Sequence, residues 1–165
     1  MSRTTVMAVC LGEKAERLEE LQNSWGSAPF VWNALAMQYL GMGAGEYSLR
    51  TSEVLPMYKR PDMPSHQRAV LLMTYDNAIV RQADYKRAAA DIRAFLDDFP
   101  PRAGYANHWA RIAEIFDSPP DCTAIGFWMT SVSENPFQGE WNEELEEYAA
   151  PDLARYWDVY AELEK

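Results

Sequence analysis

Histidine and cysteine are scarce in this chain, two of each, and the scarcity narrows the chemistry open to it. His66 and His108 lie far apart, with no cysteine or paired carboxylate at ligand spacing. The sequence therefore offers no metal-ligand set, and it carries no cofactor motif. Two cysteines cannot build a disulfide framework; Cys10 and Cys122 each fall in an apolar run that reads as a strand, the setting of buried free thiols. Ser131 and Ser133 lack a Gly-x-Ser-x-Gly elbow and read as hydroxyls that hold a turn before Pro136. The glycines of 41–45 (GMGAG) follow a helical pattern, precede Glu46 and lack the Lys-Ser/Thr of a phosphate loop, so they read as a helix stop. The sequence thus names no catalytic residue. No N-terminal stretch has the charged, apolar, small-residue order of a signal peptide, and no apolar run approaches the ~18 residues of a membrane span. The expectation is a cytoplasmic protein.

What is present in excess is negative charge, and it is placed unevenly. From Glu134 to Lys165 there are ten acids and two bases, a formal charge of −8 out of the chain's −10. The residues before Glu134 are close to neutral. The acidic stretch also holds Phe137, Trp141, Tyr148, Tyr156, Trp157 and Tyr160, too many aromatics for a solvated brush. Such a composition, with a pI near 4.6, argues against direct binding to nucleic acid or to an anionic membrane and favours a cationic protein partner.

The 48% hydrophobic content predicts a packed globule, and residues 1–165 show no composition shift marking a second domain. Residues 4–10 and 122–130 are apolar on both alternating faces and predict buried strands; 69–74 (AVLLMT) is a third candidate strand. Leu18, Leu21 and Trp25 at helical spacing predict a helix over 13–24. Ser27 and Pro29 predict the start of a buried helix running through 30–40, and a short helix is expected at 52–58. Asp84 is the expected cap of the clearest helix, with Tyr85, Ala88, Ala89, Ile92, Phe95, Leu96 and Phe99 on one stripe. Tyr105, Trp109, Ile112, Ala113 and Phe116 mark the next. A short acidic helix is expected over 142–148. A last helix opens at Pro151, with Leu153, Tyr156, Trp157, Tyr160 and Leu163 on its apolar face. The order predicts an α+β fold, a small central sheet of buried strands covered by helices, with α/β layering as the alternative.

Two functional expectations follow. The first is a small acidic binding or inhibitor protein that occludes a basic surface of a toxin, nuclease or defence complex, as an immunity protein or a nucleic-acid-mimicking inhibitor does. Its expected contact residues are Glu140, Trp141, Glu143, Glu144, Glu146, Glu147 and Tyr148. Glu143 and Glu147, four apart on a helix, would repel each other by a few tenths of a kcal/mol without a partner. Trp141, outside any apolar stripe, has the character of an interface anchor. The second expectation is a small enzyme whose site is assembled from dispersed residues such as His66, Asp76 and Ser131.

Overall fold

The computed structural model describes residues 3–103, 107–130 and 134–165. The chain opens with strands β1 (Arg3–Val9) and β2 (Glu16–Gln22), followed by helices α1 (Ala28–Leu40), α2 (Thr51–Val54) and α3 (Ser65–Leu72). Strand β3 (Ala78–Arg81), helices α4 (Tyr85–Asp98) and α5 (His108–Asp117) and strand β4 (Ala124–Trp128) come next. The acidic segment contributes β5 (Trp141–Asn142), β6 (Glu147–Tyr148), β7 (Trp157–Asp158) and α6 (Val159–Leu163). Five strands form one mixed sheet in the order β2-β1-β4-β3-β7, antiparallel except for the parallel β3/β7 pair, and β5 and β6 form a separate two-stranded ribbon. The fold is α+β, as the sequence predicts.

Strand alternation sorts the central side chains onto two faces. Val6 and Ala8 of β1, Val80 of β3, and Ile125 and Phe127 of β4 face the main core, where α1, α3, α4, α5 and α6 deliver Leu35, Leu71, Phe95, Trp109 and Tyr160. Met7, Val9, Ile79 and Ala124 face the other way and, among the described residues, cluster with Phe137 and Leu153 as buried partners. Residues 134–156 therefore form a strap across the second face.

Four elements depart from expectation, each for a physical reason. The expected strand 69–74 lies mostly in α3, which starts directly after Pro64; Ala69, Val70, Leu71 and Leu72 are all buried. A short run apolar all round fits a buried helix as well as a buried strand, and the third central strand is β3 instead. The expected helix over 13–24 is instead the edge strand β2. Its pairing with β1 steps from Val6–Glu19 to Met7–Arg17, leaving Leu18 as a bulge. One extra residue shifts the alternation, so Leu18 and Leu21, three apart, both reach the main core and imitate helical spacing.

The acidic segment 142–148 is a β-hairpin, not a helix. The final stripe is likewise no single helix: Leu153–Arg155 form a 3₁₀ turn, Trp157 and Asp158 pair with β3, and only Val159–Leu163 are α-helical. Leu153 and Tyr160 dock on the core as expected, whereas Trp157 stays 40% exposed and stacks on Tyr75, ring centroids 5.0 Å apart. Helices α1 and α4 match the expected spans and α5 carries the expected Trp109, Ile112, Ala113 and Phe116, although the Ser27 hydroxyl and the Asp84 carboxylate make no capping bond to their helices. Cys122 is buried and Cys10 half-buried, both as free thiols. Burial, with Cys122 nearby, pushes the Cys10 thiol above its ordinary pKa.

Candidate functional site

The acidic hairpin rises from the strap, and its geometry starts at an anchor. Phe137 is buried against the central strand at Gly126, where a Cβ would fall 2.4 Å from the Phe137 ring. Tyr156 closes the other side, its ring centroid 4.9 Å from that of Phe137 and its hydroxyl donating to the Pro136 carbonyl at 2.9 Å. The Asn135 carboxamide oxygen accepts from the Phe137 amide at 3.0 Å and sets the turn that aims the ring inward. Two residues on, Gly139 lets the hairpin's two arms close: a Cβ there would stand 2.2 Å from the Ala149 carbonyl oxygen. The Ala149 amide donates to the Glu140 carbonyl at 2.8 Å, extending the ribbon below Trp141–Tyr148 and Asn142–Glu147.

The tip explains why the segment is not a helix. The Asn142 side-chain oxygen accepts from the amides of Glu144 and Leu145 at 2.9 and 3.1 Å, a local turn that competes with helical bonding. Glu146 then adopts a left-handed backbone with φ 50° and turns the chain back. Like-charge repulsion between glutamates four apart disfavours the helical alternative further.

All seven expected contact residues are exposed on this hairpin or at its root. Trp141 and Tyr148 face each other across the ribbon, edge to face at 5.0 Å, and are 51% and 41% exposed. Leu145 at the tip is 66% exposed. The glutamates surround these apolar groups and are lightly engaged. Lys14 in the β1–β2 turn donates to Glu147 at 2.5 Å, and Arg155 stands 3.8 Å from Glu140. Among the described residues Glu143, Glu144 and Glu146 have no ion pair. Sequence reasoning missed Leu145, the Lys14 tie and the Gly126–Phe137 seat. Gly139 and Asn142, both turn formers, were the available signal for a hairpin.

Of the dispersed catalytic set, Asp76 and His66 are engaged with different described residues. The Asp76 carboxylate accepts from the Met129 and Thr130 amides at 2.8 and 3.1 Å and from the Thr130 hydroxyl at 2.7 Å, which fixes the end of β4. His66 Nε2 lies 2.6 Å from Asp98, whose same oxygen accepts from Gln67. These bonds hold Asp98 below its ordinary carboxylate range. Ser131 and Ser133, like Tyr105 of the predicted α5 stripe, fall outside the described residues. The glycine loop has its own anion: the Glu46 carboxylate accepts from the Gly43 amide at 2.8 Å.

His108, the first residue of α5, is buried. Its Nδ1 lies 2.7 Å from the Ser27 hydroxyl, and burial pushes its pKa down against an opposing bond to the Gln22 backbone. Among the described residues no group of three or more His, Cys, Asp or Glu is placed to hold a metal ion, and no helix is long and apolar enough to cross a membrane. No family model, curated protein or solved structure matches this chain.

Proposed function

We propose that the protein is an acidic binding module whose 140–148 hairpin enters and occludes a basic cleft of a partner protein. The observation that carries this reading is the exposure of Trp141, Leu145 and Tyr148 together on one anchored ribbon, ringed by Glu140, Glu143, Glu144, Glu146 and Glu147. Exposed apolar side chains rimmed by one charge sign are the anatomy of an interface: aromatic anchors are desolvated on contact and rim charges steer the encounter. The glutamates lie in one protruding hairpin and not along a duplex-length face. That favours a local plug, as in an immunity protein seated on a cationic toxin, over imitation of a long nucleic acid. A nuclease or a defence complex with a narrow phosphate-binding cleft would receive the same plug.

Preorganisation supports the reading as well. The hairpin is held at its base by Phe137, Tyr156 and Gly139, and at its side by Lys14, so little ordering remains to oppose binding. The test is affinity capture from the native host with two baits, wild type and a Trp141→Ala/Glu143→Lys/Glu144→Lys variant. The expected result is a basic protein retained by wild type and lost by the variant, which then binds purified wild-type protein one to one. A partner retained equally by both baits contradicts the proposal.

A further inference from the structure

A groove of about 650 Å³ lies between the β2–α1 loop, α1 and the chain that follows α4, sharing no residue with the hairpin. Its lining is largely apolar, with Trp25, Phe30, Met37, Phe99 and Pro101, and it also includes Asp98 and Arg102. Trp25 is 66% and Met37 43% exposed, so two large apolar side chains are left in water at one concavity.

The walls are fixed by the main core. Asn23, in a left-handed backbone with φ 63°, accepts from the Trp25 amide at 3.4 Å. The next turn is pinned by Ser27, whose hydroxyl meets His108 and whose carbonyl accepts from the Trp109 indole at 3.1 Å. Phe30 and Phe99 both pack on the fully buried Phe95, edge-on and tilted respectively, with centroids 6.1 and 5.0 Å away. A preformed apolar concavity of this size fits a small ligand better than a flat protein surface.

Arg102 supplies the polar contact. Every other arginine of the chain is held by a carboxylate or, for Arg68, by the Tyr58 carbonyl. Arg102 is exposed on the groove lining and has no such partner among the described residues. In a chain where acids outnumber bases by 25 to 15, an arginine at a largely apolar groove with no carboxylate partner among the described residues has its donors available to a ligand. The neighbouring Asp98 is already engaged by His66 and Gln67, both at 2.6 Å.

We propose that this groove binds a monocarboxylate with an apolar body, the body between Trp25 and Phe99 and the carboxylate on Arg102. Guanidinium recognises carboxylate through paired, charge-assisted N–H donors; a hydroxyl accepts only a single bond without the charge, and a quaternary ammonium accepts none.

The test is calorimetric titration of the full chain with dodecanoate, kept below its micelle concentration, against dodecan-1-ol and dodecyltrimethylammonium. The expected result is saturable one-to-one binding of dodecanoate, weaker binding of the alcohol and weakest of the cation. Arg102→Gln should weaken dodecanoate about tenfold or more and leave the alcohol unchanged, since it removes a charge-assisted bond alone. Trp25→Ala should weaken dodecanoate and the alcohol alike; both substituted side chains are exposed, so the fold survives. Absence of saturable binding, equal dodecanoate affinity in Arg102→Gln, or tightest binding of the cation overturns the proposal. So does a concentration-dependent dimer dissolved by Trp25→Ala, which would put a second copy of the chain in the groove.

Discussion

On one face of the sheet, helices α1, α3, α4, α5 and α6 bury Leu35, Leu71, Phe95, Trp109 and Tyr160 in a continuous core. On the other face a strap without α-helix covers Met7, Val9, Ile79 and Ala124 with two buried side chains of its own, Phe137 and Leu153. Helices satisfy their backbone bonds internally, so what they add to a core is mostly side-chain burial. A strap must instead be pinned residue by residue, here by the Phe137 seat, the Tyr156 hydroxyl and the Gly139 approach. The lesson is a division of labour: the helical face supplies stability, and the strap face trades burial for display of a charged hairpin. Regions that open locally are those with few buried apolar contacts, which places the strap below the global stability of the molecule.

The largest effect should come from breaking the helical face. Trp109→Ala removes a fully buried indole that also donates to the Ser27 carbonyl. The expected loss is about 3–5 kcal/mol, or roughly 2–4 °C of thermal midpoint for each kcal/mol in a chain of this size. Phe137→Ala is the matched substitution on the strap. It should raise amide hydrogen exchange across residues 134–156 while moving the midpoint distinctly less than Trp109→Ala does. Equal midpoint shifts from the two, without selective exchange, would erase the distinction between the faces.

Gly126→Ala sharpens the comparison because it lies in a central strand yet should behave as a strap variant. A Cβ 2.4 Å from the Phe137 ring forces that ring out, and β4 pairing has no reason to fail. Exchange should rise in the strap and stay slow in β1, β3 and β4. Loss of protection in the strands themselves would mean that the strap is integral to the sheet.

A smaller effect is expected from pH. Burial holds the folded-state pKa of His108 below its ordinary value of 6.5. The unfolded chain therefore binds more protons between the two values, and stability rises with pH through that window. The contribution is fully present above about pH 6.5 and is lost as pH falls toward the folded-state pKa. Denaturation midpoints measured from pH 7.5 to 5 should fall for wild type, and His108→Gln should flatten that part of the profile. A wild-type profile that rises on acidification would contradict the assigned direction. The smallest effect belongs to the hairpin tip: Glu143→Lys with Glu144→Lys should change stability by no more than ~0.5 kcal/mol, since both are exposed and without an ion pair among the described residues.

The same division governs what the sequence made legible. Helix α4 reads clearly because its stripe is long, regular and stopped by Pro100 and Pro101, and α1 and β4 are bounded as plainly. Legibility fails where a local device overrides periodicity. The Leu18 bulge lends β2 a helical spacing, and the Asn142 turn with the left-handed Glu146 converts a glutamate run into a hairpin. The final stripe misleads because its residues divide between faces, Leu153 and Tyr156 to the strap and Tyr160 to the helical core. The candidate contact residues were legible from charge and aromatic content alone. Their shape was not, because it depends on Gly139, Gly126 and Phe137 meeting partners distant in the chain.

The most direct test of the hairpin as a steering and anchoring element is the salt dependence of association with the captured partner. Rates would be measured for wild type, Glu143→Lys/Glu144→Lys and Trp141→Ala across a range of ionic strength. Steering between opposite charges is screened beyond ~8 Å at physiological salt, so the wild-type on-rate should fall steeply as salt rises. The charge reversal should lower the on-rate and flatten that slope, while Trp141→Ala should leave the on-rate unchanged and speed dissociation. Identical on-rates and salt slopes for wild type and the charge reversal would contradict the account and reduce the acidic hairpin to a solubility feature.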